Sequence, residues 1–272
     1  MIYALIVVYN KSCRNSNSIT DIRQYAPDIN LIVYDNSTKD FGNDKFCKEN
    51  NIIYFTQNKN VGISKAYNFV INKFKFKKND YLIMLDDDTH LTLGYLNEAK
   101  ELAYSHQYDV NLPIVKANKK IISPYNYYMN CRTKMIQDPT EIVISKASGI
   151  NSGMVINTNV FQKIHYNEKL FLDYVDYDFM RRVHKIQGTI HIMHSVINQE
   201  FQYFNYDKKN INGALTRFKI DMHDYKILCK GTNENWFFYI HAIKFMLKQT
   251  IHYHSYSFLT LLLKFCFKEK KC

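Results

Sequence analysis

"YLIMLDDDTHL", residues 81–91, drives five apolar residues straight into three adjacent aspartates. Neighbouring carboxylates repel one another and are costly to hold beside a buried strand unless something neutralises them. The cluster is therefore either a solvated turn or a place prepared for a cation. Working outward, "IYALIVV" (2–8), "LIVY" (31–34) and "IIYF" (52–55) are further short runs rich in β-branched and aromatic residues. Such runs suit strands buried on both faces of a parallel sheet. Before residue 81, "GISKAYNFVINKF" carries Ile63, Ala66, Tyr67, Val70 and Phe74 at helical spacing. Strand–helix–strand alternation predicts an α/β domain with a mostly parallel sheet over the first ~110 residues. In such sheets ligands sit beyond the carboxyl ends of the strands. Tyr9 and Asn10, Asp35 and Asn36, Asn58 and Asn60, and the aspartates 86–88 all fall there, and they read as one site.

The 272 residues are long enough for a full core. With 46% hydrophobic and 22% charged residues, disorder is not expected, and no repeat at solenoid periods is present. The six cysteines include no CxxC pair, so neither a zinc ribbon nor a disulfide framework is indicated. "MIYALIVVYNKSC" shows no basic n-region or small-residue cleavage site, so no signal peptide is expected and a reducing cytoplasm is the expected compartment. Of the net charge of +11, residues 206–272 hold twelve Lys/Arg against five Asp/Glu. That localised basicity predicts an anionic partner for this end.

The middle of the chain, "EIVISKASGINSGMVINTNVFQKI", reads as a strand, a Ser/Gly loop, a second strand and the start of a helix. After Gly213, residues Leu215, Phe218, Met222, Tyr225 and Cys229 step by three and four as an amphipathic helix. "WFFYIHAIKFML" (236–247) is apolar nearly all round, and 249–263 lacks charge but is too short for a membrane span. With Lys244, Lys248, Lys264, Lys268, Lys270 and Lys271 flanking it, this end fits a helical pair on an anionic membrane interface or a homodimer surface.

The chain resembles the inverting glycosyltransferases of family 2, with the GT-A fold, and among them the rhamnosyltransferase-like bacterial subgroup. "ALIVVYN" resembles the family's opening strand and nucleotide-binding loop (Tyr9, Asn10), and "LIVYDNSTKD" its second strand, whose aspartate Asp35 would contact the base. "NKNVGISKAYN" resembles its Asn-x-Gly-x-x-x-Ala-x-Asn segment, which implies Asn60, Gly62, Lys65, Ala66 and Asn68 near the donor. "IMLDDDT" resembles the Asp-x-Asp motif: Asp86 and Asp88 as metal ligands, Asp86 and Asp87 beside the nucleotide-sugar. "NSGMVINTNVFQKI" brings Ser152 and Gly153 to the donor, and "LFLDYVDYDFMRR" resembles the acceptor-side segment.

The resemblance implies a GT-A catalytic domain over 1–205, Rossmann-like with flanking helices, and a helical C-terminal region over 206–272. It implies Mn²⁺ or Mg²⁺ as cofactor, because a cation on hard oxygen ligands stabilises a departing diphosphate. Asp176 matches the base that an inverting transfer needs, with Asp173 and Asp178 as the other acids and Arg182 as the i+4 brace of Asp178. Where relatives carry a further histidine ligand, this chain reads "GTIHIMHSVINQEFQ", so Glu200, or His194 under a shifted alignment, stands in. The implied donor is dTDP-rhamnose or a UDP-sugar, and the implied acceptor an oligosaccharide, including one on a polyprenyl diphosphate. A plainer reading, as caps of the next helix, "LTLGYLNEAKEL", accounts for only one or two of the three acids. Two rivals are disfavoured. "VVYNKSCRNSN" lacks the glycine-rich loop of nucleotidyltransferases, and no nucleic-acid-binding motif accompanies the basic charge.

Overall fold

The computed structural model describes residues 1–128, 132–199, 210–230 and 236–268. The apolar runs form the predicted strands: β1 (Ile2–Val8), β2 (Asn30–Asp35), β3 (Ile53–Thr56) and β4 (Tyr81–Asp86). They pair in parallel in the order β4-β1-β2-β3. Between them run α1 (Asn17–Tyr25), α2 (Asn43–Glu49) and α3 (Ile63–Lys73), and α4 (Leu93–Ser105) follows β4. β5 (Val110–Ala117), β10 (Met154–Asn157) and β11 (Ile190–Asn198) extend the sheet beyond β4 in the order β11-β5-β10. β10 is antiparallel to both its neighbours, while β11 is parallel to β5. β6 (Lys120–Ser123) turns back antiparallel on β5. β3 is only half-buried along its length because it is the sheet edge with a single strand neighbour.

Alternate strand residues feed two apolar layers, as the two-residue period requires. Ala4, Ile6, Val33, Ile83 and Leu85 pack toward α1 and α4. Leu5, Ile32, Leu82 and Met84 pack toward α3 and α5 (Val175–Lys185). A third cluster joins α6 (Ile211–Cys229), α7 (Trp236–Tyr253) and α8 (Ser257–Lys268) to Tyr125 and Tyr177. The C-terminal helices are thus packed onto the α/β core.

The strand expected at 141–146 does not form. Asp138, Pro139 and Glu141 build a capping box on a 3-10 turn, and a second such turn covers Ile144–Lys146. Val143 and Ile144 stay exposed, and the sole strand here is the two-residue β9 (Ala147–Ser148). β9 joins β7 (Tyr125–Tyr128) and β8 (Arg132–Lys134) in a small separate sheet. The helix expected over 236–247 runs on to Tyr253 as α7.

Candidate functional site

Register collects the strand ends at one edge. Val8 pairs with Asp35, and Val7 with Asp86, so β1, β2 and β4 end level with one another. Because β10 runs the other way, its start lies at this same edge, with Met154 opposite Met84 and the 151–153 loop beside Asp86. β11 also ends here, where Asn198 bridges His90.

The aspartates do not cap the following helix. Thr92 does so, its hydroxyl accepting from the Tyr95 N–H at 3.2 Å, and the first turn of α4 holds no acid. The loop is instead gripped from α1 through its main chain. Ser16 Oγ donates to the Asp87 carbonyl at 2.8 Å, Ser18 Oγ to the Asp86 carbonyl at 2.6 Å, and Asn17 Nδ2 to the Asp88 carbonyl at 3.2 Å. All three bonds fall on backbone oxygens, which leaves the carboxylates free for other partners. Asp87 pairs with Lys11 at 2.8 Å, and Asp86 accepts from Ser152 Oγ and, at 3.2 Å, from Gln199 Nε2. Burial raises the pKa of Asp86, with Asp87 adding to it against the lowering by Ser152 and Gln199. Burial likewise raises Asp88, and so do Asp86 and Asp87. Mutual repulsion of half-buried acids is the condition that a cation relieves.

Whether these residues fit a metal turns on their number. No group of three or more His, Cys, Asp or Glu side chains able to hold a metal occurs among the described residues. His194 is exposed in mid-strand, its N–H on Glu98 of α4 at 2.7 Å and its ring beside His191. Five residues short of Gln199, it stands on the order of 15 Å from the strand end, so it does not complete the set. Glu200 lies outside the described residues. Asp86 and Asp88 fit Mn²⁺ or Mg²⁺, which accept nucleotide oxygens and water as their remaining ligands.

Asp176 is the second residue of α5, and its Oδ1 accepts the Tyr177 N–H at 2.7 Å. Burial pushes its pKa up to about 6; the Tyr177 amide opposes this and the nearby Asp86 charge adds to it. The Asn151 backbone amide also acts on it, and Asn151 adjoins Ser152, which holds Asp86. Asp86, Ser152 and Asp176 therefore share one electrostatic environment. The other two acids of the turn are engaged. Asp178 is 1% exposed and clamped by Arg181 and Arg182, each at 2.6 Å. Asp173 is paired with Arg217, yet burial still raises its pKa to about 7.

The residues expected near the donor divide into two groups. Tyr9, Asn36, Asn60 and Gly62 line a cavity of about 830 Å³ whose far wall is α6, including Arg217, with Asp86 and Asp88 outside its lining. Asn10 ties the first two strand-end loops together, its amide on Ser37 Oγ at 2.8 Å and its Oδ1 taking the Thr38 N–H at 3.0 Å. Asp35 turns inward. It is 5% exposed, with its oxygens on the Ser37 N–H, Asn43 Nδ2 and the Tyr54 hydroxyl, so it organises the loop and Asn36 faces the cavity. Lys65 points into an adjacent cavity of about 710 Å³ beyond Asn60. Asn68, expected near the donor, is buried and binds the Tyr166 backbone at both its N–H and carbonyl. Gly62, at φ +83°, sits where an added Cβ would lie 2.7 Å from the Phe171 carbonyl oxygen. Gly153 gives its N–H to the Met84 carbonyl at 2.8 Å, which fixes the turn that aims Ser152.

Sequence reasoning missed Arg217 and Asp224, and placed Gln199 near the expected ligand position without giving it the hold on Asp86. Nothing local marks them, because each acts on a segment 44 or more residues away.

The profile of the family described as "Glycosyl transferase family 2" matches residues 3–171. No curated protein sequence matches the chain. Among solved structures, GalNAc-T7 with UDP, GalNAc and Mn²⁺ is similar at TM-score 0.60 and 13% identity, over 74% of this chain. The chain spans only 44% of that protein's length. S. aureus TarS 1-349 in complex with UDP-GlcNAc is similar at TM-score 0.53 and 12% identity, over 97% of this chain and 80% of that one. At such identities the likeness is one of fold.

Proposed function

The chain belongs to glycosyl transferase family 2, and on that premise we propose that it is an inverting glycosyltransferase acting on a nucleoside-diphosphate sugar. The observation that carries this reading is Asp176, a partly buried carboxylate at the start of α5, raised to about 6 by desolvation and by the nearby Asp86 charge. Asp176 takes the proton from an acceptor hydroxyl while that oxygen attacks the anomeric carbon. The bond from that carbon to the diphosphate breaks in the same displacement, and its electron pair leaves on the phosphate oxygen. Asp86 and Asp88 would hold Mn²⁺ or Mg²⁺, which when bound neutralises charge on the departing diphosphate. Ser152 and Gln199 keep the Asp86 carboxylate aimed. The acceptor side is the aromatic hollow of Tyr174, Tyr177 and Tyr225 with Arg132, about 290 Å³, which suits stacking of sugar rings.

UDP-sugars are the first donors to try, since the similar structures hold UDP or UDP-GlcNAc, with dTDP-rhamnose beside them. The acceptor in this reading is a glycan of bacterial surface polysaccharide synthesis, including one carried on a polyprenyl diphosphate. No described helix is long and apolar enough to cross a membrane. α7 nevertheless exposes Trp236, Ile240, Ile243, Leu247 and Ile251 along one stripe, next to the exposed Lys244 and Lys248. An apolar stripe beside lysines matches an anionic lipid surface, such as the inner face of the cell membrane. Sedimentation with phosphatidylglycerol vesicles should pull the protein down, and Ile243→Glu/Leu247→Glu should release it. Self-association without lipid binding would assign the stripe to a dimer instead.

The enzymatic test is turnover of a donor panel with and without Mn²⁺, for wild type, Asp88→Ala and Asp176→Asn. Slow metal-dependent hydrolysis of one donor, lost in both variants, is the expected result. Turnover that survives Asp176→Asn would remove the base assignment.

A further inference from the structure

We propose that α6 is a working wall of the catalytic site, with Asp224 and Arg217 positioning the turn that carries Asp176. This rests on Asp176 being the base. Arg217, Asp221 and Asp224 are spaced by four and three residues, so they share one helix face. That face meets 171–174 residue by residue. The Asp224 carboxylate accepts three successive backbone N–H groups, from Phe171 at 3.0 Å, Leu172 at 2.8 Å and Asp173 at 2.9 Å. Asp221 accepts the Tyr174 hydroxyl at 3.1 Å, and Arg217 pairs with the Asp173 side chain.

The turn has little local support of its own. Tyr174 is a non-glycine residue at φ +62°, a left-handed conformation that L side chains disfavour. It stands at the N-cap of α5 and makes no side-chain capping bond. The three amides just before it are satisfied by a carboxylate some fifty residues later in the chain. Asp224 is 0% exposed, and a buried carboxylate is tolerated only with such donors around it. Each partner therefore requires the other. Asp176 follows two residues after Tyr174, so the position of the turn sets the position of the base.

The same turn reaches the donor side. The Phe171 carbonyl accepts the Ile63 N–H at 2.7 Å and abuts Gly62. Phe171, Leu172 and Arg217 line the large cavity together with Tyr9 and Asn60. α6 lies beyond residues 3–171, so the catalytic unit extends past the part of the chain that carries the family pattern.

The test compares full-length wild type, Asp224→Asn, Asp224→Ala and Arg217→Ala by three readouts. These are hydrogen exchange of the 171–174 amides, the Kd for UDP with Mn²⁺, and kcat on whichever donor the panel identifies. Expected are loss of protection at 171–173 and a kcat lowered 10- to 100-fold, with a Kd within about threefold of wild type for the Asp224 variants; Arg217→Ala is read by exchange and kcat alone, because Arg217 also lines the donor-side cavity. Asp224→Asn, which keeps one acceptor oxygen, should fall between wild type and Asp224→Ala. Unchanged protection and kcat would overturn the proposal, and so would UDP binding lost in step with turnover in the Asp224 variants, the mark of general unfolding. Should Asp224→Ala fail to fold, Asp224→Asn and Arg217→Ala carry the same comparison. Failure of the base assignment is separately visible: Asp176→Asn would retain turnover while the exchange pattern of the Asp224 variants was unaffected.

Discussion

The two sides of the cleft are held by different chemistry. Around the strand ends proposed to hold the donor, neutral amides and hydroxyls do most of the fastening, with the Asp35 carboxylate and the Lys11–Asp87 pair as its charged members. Asn36 Nδ2 meets Asn60 Oδ1 at 3.0 Å, Asn60 Oδ1 takes the Gly62 N–H at 3.0 Å, and Ser16 and Ser18 hold the aspartate loop by its carbonyls. On the acceptor side the fastening is ionic and buried: Asp224 on three amides, Arg217 on Asp173, Arg181 and Arg182 on Asp178. Neutral hydrogen bonds each contribute about 1 kcal/mol and are indifferent to pH. Buried charge networks hold more rigidly, but removing one member strands its partner. In the proposed reading, the turn that carries the base is therefore the more heavily braced by charge of the two.

Asp176→Asn breaks the comparison hardest. General-base catalysis contributes roughly 10²- to 10⁴-fold, so turnover should fall by that factor with UDP binding retained, as read by initial rates and calorimetry. The same variant should be more stable than wild type at pH 8. With its pKa raised from 3.8 to about 6, the Asp176 carboxylate disfavours the folded state once ionised. The penalty is absent below pH 4, grows from there to pH 6 and is complete above it, up to about 3 kcal/mol. Melting curves at pH 4 and pH 8 check this, and only the second should separate the two proteins.

Gly62→Ala strikes where the two sides touch. An added methyl at φ +83° against the Phe171 carbonyl should lower stability by about 2–4 kcal/mol, read by urea denaturation. A smaller effect is the acid limb of wild-type kcat/KM. Activity should fall about tenfold per pH unit below about 6, as Asp176 takes up its proton, and should level off above. The mildest is Ser16→Ala, which removes the α1 cap and the bond to the Asp87 carbonyl. It should lower stability by about 1 kcal/mol and leave the acid limb where it was.

The sheet and the places where its strands end were legible from the order of residues alone. Five apolar residues before three aspartates, with further apolar runs of four to seven residues upstream, leave the chain few ways to bury its backbone except as adjacent parallel strands. Polar residues after those runs then had to gather at one edge, so Tyr9, Asn60 and Asp86 were legible as one neighbourhood. What each polar residue does there was decided only by tertiary structure. Asp35 and Asn68 are as polar as Asn36 and Asn60 but are turned inward by partners on other elements. His194 was within the alphabet of metal ligands but falls mid-strand, since strand geometry fixes distance from the edge residue by residue. Asp173, Asp176 and Asp178 are nearly indistinguishable as letters. Arg217 and the arginines of α5 take the outer two, and Asp176 is left with backbone amides and the field of Asp86. Those partners come from distant segments, or from which way one helix turn faces. Periodicity fixes what is buried, whereas the pairing of charges waits for the chain to close.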